Sequence, residues 1–169
     1  MHKNDSWAKS HFSNYWSSYF LGAASLYFIL NRGDYTILDW IHLFIHEPGH
    51  YLFAIFGRFM GMLGGTIMQI LLPLISAFLF YRWKKKISVQ LCLFWLAHSL
   101  INVSVYIDDA DKMKLRIIGN IHDWNWILGK LNITEYATKL GWLVFGFAIA
   151  TFIIMIIIPR FMEESESLL

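Results

Sequence analysis

The residues best suited to chemistry are His46, Glu47 and His50, which stand as His-Glu-Pro-Gly-His between Trp40-Ile41 and Tyr51-Leu52-Phe53-Ala54-Ile55-Phe56. On a helix, side chains four residues apart share a face about one turn from each other. His46 and His50 would therefore present two imidazoles to one metal ion. Glu47 would stand beside that ion without binding it, placed to take a proton from a bound water, which is the pattern of a zinc hydrolase site. Packing alone gives no reason for three titratable side chains in so apolar a stretch, because such groups are expensive to bury there.

A catalytic zinc takes three protein ligands and leaves its fourth position to water. Cys92 is the one cysteine, so an internal disulfide and a thiolate ligand set are both excluded. The third ligand must offer nitrogen or oxygen, and the candidates are His122, Asp123 and Asp109, with His98 and Asp108 behind them. His98, Asn102, Tyr106 and Asp109 follow one another at spacings of four, four and three. That spacing puts them along one helical face, expected to look into the same interior as His46 and His50. Gln69, in another apolar stretch, needs partners for its amide, either at the site or as an interhelical hydrogen bond. Asn102, Tyr106 and Gln69 are the neutral donors expected to steady an oxyanion, with Glu47 as general base. Asp109 or Asp123, where not a ligand, would orient a ligand imidazole.

Elements able to position these residues are legible in the hydropathy. Of 169 residues, 57% are hydrophobic and 15% charged, and the mean hydropathy is +0.47. Soluble domains carry about 25% charged residues, so the chain is expected to be an all-α, polytopic transmembrane bundle in a single membrane-embedded domain, 1–169. About five spans are expected, near 15–30, 36–56, 66–81, 87–106 and 140–159, with a polar loop over 108–139. Pro48 removes an amide donor and crowds the carbonyl of Phe44, which predicts a kinked second span or a helix broken before Glu47. Gly57, Gly61, Gly64 and Gly65 read as a tight turn or irregular passage, and Asn132 or Thr134 as a helix start. Arg82, Lys84, Lys85 and Lys86 mark a cytoplasmic loop, giving an outside N-terminus and an inside C-terminus. No secretory signal is expected. His2 and His11 read as surface histidines, and the tail with Glu163, Glu164 and Glu166 as loose. A net charge of +2, with no basic stripe, argues against nucleic-acid binding.

His-Glu-Pro-Gly-His in an apolar span, followed by a glycine-rich passage and another span, resembles the intramembrane metalloproteases of the site-2 protease type and their small bacterial relatives. The resemblance covers about Ile41 to Pro73. It implies His46 and His50 as zinc ligands, Glu47 as general base, a membrane-spanning peptide as substrate, and a multi-pass location in a bacterial inner (cytoplasmic) membrane. Familiar members supply the third ligand as an aspartate in an Asn-Pro-Asp-Gly or Leu-Asp-Gly stretch. This chain offers Tyr106-Ile107-Asp108-Asp109-Ala110 and His122-Asp123-Trp124 instead. Two other classes would use the same residues: a metal-dependent hydrolase of membrane lipid amides or esters, and a non-catalytic metal-binding membrane protein.

Overall fold

The computed structural model describes residues 2–117 and 121–162, with side chains from Tyr15 onward. The side chains of His2 and His11 and the tail holding Glu163, Glu164 and Glu166 lie outside the described residues. Regular structure among the described residues is entirely helical: α1 (His2–Leu30), α2 (Ile37–Ala54), α3 (Arg58–Arg82), α4 (Lys86–Asp108), α5 (Asp123–Lys130) and α6 (Ala137–Ile157). Short 3-10 turns, Thr134–Tyr136 and Ile158–Phe161, flank α6. Of the five crossings expected, three have the length and apolar character to cross a membrane: Arg58–Arg82, Lys86–Asp108 and Thr134–Phe161. α2 is not in that set, since its 18 residues include Asp39, His42, His46, Glu47 and His50.

The helix carrying the histidines does not break before Glu47. α2 is helical on both sides of Pro48. The glycines expected to form an irregular passage lie inside α3 instead, and only Gly57, at φ +100°, serves the turn before it. Each glycine lowers helix stability by about 1 kcal/mol relative to alanine, but these let two antiparallel helices touch through their backbones. A Cβ on Gly49 would collide with the carbonyl of Gly64 and lie 2.8 Å from the Cβ of Met68. One on Gly64 would lie 2.7 Å from the Cβ of Phe53. Close approach through small residues is the packing mode expected where lipid offers no hydrophobic driving force.

α4 is the central helix, packed on α3, α6 and α1. Leu21 of α1, Ala97 and Ile101 of α4, and Phe145, Ala148, Phe152 and Met155 of α6 form its main apolar cluster. Gln90 and two serines satisfy one another in this layer. Ser17 donates to Gln90 Oε1 at 2.7 Å, and Gln90 Nε2 donates to Ser18 Oγ at 2.8 Å and to the Met155 carbonyl at 3.0 Å. Outer faces are apolar: Phe44, Tyr51, Phe78, Leu143 and Phe147 are each more than half exposed.

Between α4 and α6 the chain folds back over the helix ends. The Asp109 carboxylate accepts from the amides of Lys114 and Leu115, at 2.9–3.1 Å. Asn125 Nδ2 donates to the Ala110 carbonyl at 2.7 Å, and the Trp124 indole to Thr66 Oγ1 of α3 at 3.1 Å. These bonds dock the short helix α5 against α3 and α4. The helix start expected at Asn132 or Thr134 is a 3-10 turn at Thr134–Tyr136, while Asn132 takes a left-handed φ of 57° just after α5.

Candidate metal centre

The continuous helix α2 puts His46 and His50 on one face, with ring centroids 4.8 Å apart. Asp123, 77 residues after His46, is the first residue of α5 and brings its Oδ2 to 3.1 Å from His46 Nε2 and 3.3 Å from His50 Nε2. His46 and Asp123 are buried and His50 is half-buried.

The protonation of both rings can be read from their other nitrogens. His50 Nδ1 lies 2.8 Å from the Gly61 carbonyl, and a carbonyl only accepts, so Nδ1 carries the proton. The His46 proton is placed by three amide and carboxylate contacts. The Asp39 carboxylate accepts from Asn102 Nδ2 at 2.8 Å, which leaves Asn102 Oδ1 to accept from Gln69 Nε2 at 2.8 Å. Gln69 Oε1 then faces His46 Nδ1 at 3.2 Å, and that nitrogen must be the donor. Nδ1 of each ring is thereby engaged, and both Nε2 atoms are turned toward one carboxylate oxygen. With the rings neutral these are three acceptors facing one another, which a bound cation would reconcile.

A metal fits that role. Ligand atoms about 2.0–2.1 Å from a tetrahedral zinc stand roughly 3.3 Å from one another, close to the separations found here. The described residues contain two groups able to hold a metal ion, His46–His50–Asp123 and Asp39–His42–His98, the ligand atoms of each lying within 4.8 Å of one another. Burial alone would push the Asp123 carboxyl up, yet its hydrogen bonds and charge contacts with His50 and His46 hold it well below the usual carboxylate range. Tyr106 steadies it further: its hydroxyl donates to Asp123 Oδ2 at 3.2 Å and accepts from the Asp123 amide at 3.1 Å.

Among the five candidate third ligands, Asp123 is the one brought to His46 and His50. His122 sits before α5, where its Nδ1 accepts from the Asn125 amide at 3.2 Å, and its Nε2 lies 3.5 Å from Asp109 Oδ2. Burial pushes the His122 imidazole down, against the raising charges of Asp109 and Asp123. Asp109 holds loop amides. Asp108 pairs with Lys112 at 2.6 Å and faces Arg32 at 3.8 Å. His98 lines the same cavity but meets His42, with ring centroids 4.9 Å apart. Gln69, Asn102 and Tyr106, expected as oxyanion donors, are engaged in holding the ligand set. Glu47, partly exposed, has no hydrogen-bond partner among the described residues and lines a cavity of about 1070 Å³ together with His46, His50 and Asp123. His42 and Asp39 escaped the sequence reading, although His42 precedes His46 by the same four residues that separate His46 from His50.

Comparisons of the chain with protein-family models, with curated proteins and with solved structures found no match.

Proposed function

We propose that the chain is a zinc-dependent hydrolase of the membrane, a metalloprotease that cleaves peptide bonds in or near the bilayer. The observation that carries this reading is the approach of His46 Nε2 and His50 Nε2 to Asp123 Oδ2, at 3.1 and 3.3 Å, beside a carboxylate, Glu47, without a hydrogen-bond partner among the described residues, on the wall of a cavity large enough for a substrate segment. Three helices long and apolar enough to span support the membrane setting. On this reading α1 and α2 complete a five-span bundle in a bacterial cytoplasmic membrane.

A zinc ion held there would supply an acidified water and polarise the scissile carbonyl. With such an ion bound, the Glu47 carboxylate would take the proton of the attacking water as its oxygen bonds to the carbonyl carbon, and would deliver it to the leaving nitrogen as the carbon–nitrogen bond breaks. Gln69 and the Gly61 carbonyl keep the protons of His46 and His50 on Nδ1. Tyr106 fixes the Asp123 carboxylate. Cavity residues Leu43, Ile101 and Val105 give the substrate an apolar wall. The same wall favours a second reading, hydrolysis of a lipid amide or ester, in which the cavity takes an acyl chain.

The test is zinc content and turnover of the detergent-purified protein and its Glu47→Gln variant, against a library of transmembrane peptides and against ceramide-type and ester lipids. Retained zinc with turnover reduced about 10²–10⁴-fold, the usual worth of a positioned general base, supports a hydrolase, and the substrate cleaved decides between peptide and lipid. Equal function in both proteins sinks the catalytic reading in favour of a metal-binding one.

A further inference from the structure

Asp39 and His42 of α2 and His98 of α4 are almost wholly enclosed, at 7%, 2% and 3% exposure, and form the other group whose ligand atoms lie within 4.8 Å of one another. We propose that they form a second metal centre, for a divalent first-row ion of the zinc class, separate from the His46–His50–Asp123 site and fastening α2 to α4.

Two orphaned nitrogens point to a missing cation. Among the described residues, His42 Nδ1 and His98 Nδ1 are buried without a hydrogen-bond partner, and buried polar atoms are ordinarily satisfied. Both belong to a cluster that holds a carboxylate. His42 Nδ1 lies 4.0 Å from Asp39 Oδ1, too far for a hydrogen bond, so a simple ion pair does not account for the arrangement and leaves His98 unexplained.

The surroundings prepare the donors for coordination. His42 Nε2 lies 3.1 Å from Ser99 Oγ. Donation from Nε2–H to Ser99 leaves the Nδ1 lone pair turned toward Asp39, as an outer partner does for a metal-bound histidine. Were Ser99 the donor, an Nδ1–H would face the carboxylate without closing the gap. Asp39 Oδ2 is held by the Thr36 amide and hydroxyl at 2.7 and 2.8 Å, and Oδ1 by one proton of Asn102 at 2.8 Å. That leaves a lone pair on Oδ1 for an ion. Phe28 packs edge-on to His98, with ring centroids 4.4 Å apart. Two imidazoles and one carboxylate suit zinc and its late first-row neighbours. The 4.0 Å gap exceeds the edge of roughly 3.3 Å in a tetrahedral site, so loading draws the side chains inward.

His42, His46 and His50 follow at four-residue intervals, so the two centres lie one turn apart on the same face of α2. They are also joined by the hydrogen bonds Asp39–Asn102–Gln69–His46. An ion at Asp39 therefore helps orient a ligand of the first site.

Titration of detergent-purified apoprotein with Zn²⁺ alone, read by elemental mass spectrometry, separates this inference from the hydrolase reading. Two equivalents are expected for the unchanged chain, one for H46A/H50A, and none once H42Q and H98Q are added to that pair. An H46A/H50A protein that keeps its helical circular dichroism and binds no zinc overturns the second centre and leaves the first untouched. One equivalent in the unchanged chain that survives H46A/H50A upholds the second centre and removes the hydrolase reading. If the H42Q and H98Q chains fail to fold, Co²⁺ in H46A/H50A gives the answer without altering the second centre. X-ray absorption showing two imidazoles per cobalt upholds it, and absence of bound cobalt overturns it.

Discussion

Gly65 of α3 stands where any side chain would fall on the face of the His46 imidazole, against Nε2, Cδ2 and Cε1 alike. Replacing it with alanine favours the helix by about 1 kcal/mol on propensity alone, yet drives a methyl into the His46 ring, which must shift away from its place beside His50 and Asp123. Gly65→Ala is expected to lose zinc affinity by more than about 100-fold, beyond what an outer partner of a metal site ordinarily contributes, while the chain stays helical. Gly146→Ala, where nothing lies within 4 Å, is the control and should bind zinc normally. Calorimetric zinc titration of the two variants checks this; equal affinities would falsify the placement of His46.

Adjacent residues His122 and Asp123 should separate cleanly. Asp123→Asn removes the anionic oxygen shared by the two histidines, and metal content at the first site should vanish. His122→Ala removes an acceptor for the Asn125 amide, a helix-capping contact worth about 1 kcal/mol, and should leave metal bound in a slightly less stable protein. Elemental analysis with thermal unfolding in detergent reads both; metal loss in the His122 variant would make it a ligand.

Asn102 hydrogen-bonds to Gln69 and Asp39, and it sets the direction of the amide chain that puts the His46 proton on Nδ1. Asn102→Leu frees Gln69 to turn over and removes that control. Zinc affinity at the first site is expected to fall about 10–100-fold, as for other outer partners. Nitrogen-15 spectra of the histidine rings would show the tautomer mixture; an unchanged spectrum would count against the assignment.

Metal binding should be visible as stability. A site that binds only in the folded state adds about 2.7 kcal/mol at free zinc 100 times its Kd. Chelation with a strong competitor should lower the denaturation midpoint, and zinc but not magnesium should restore it, since imidazole ligands suit zinc and magnesium favours oxygen. Identical midpoints with and without chelator would argue against stoichiometric binding.

Sequence carried the chemistry further than the geometry. The spacing of His46 and His50 announces a shared face, and Gln69, Asn102 and Tyr106 are conspicuous because amides and hydroxyls in apolar helices need partners. The choice between His122 and Asp123 was not legible, since one residue of register at the start of α5 decides which side chain meets the histidines. That register depends on Trp124 reaching Thr66 and Asn125 reaching Ala110, contacts between distant parts of the chain. The glycines after Phe56 misled for a related reason: local propensity disfavours helix there, while the gain comes from a neighbour, α2, that a local reading does not weigh. His42 is legible by the four-residue rule, and Asp39 lies three residues before it, but the partner that completes their group, His98, comes from α4 and shares no local pattern with them.

The distance along the chain between His46 and Asp123 bears on how the protein is made. A ribosome releases α2, with both histidines, well before it synthesises α5. A nascent chain halted before α5 would hold two ligands and an exposed Glu47 but no third oxygen, and would be inert. Completion of the first site thus waits until α3 and α4 are made and the segment after α4 has folded back, so that, on the proposed function, activity would begin only with the folded chain.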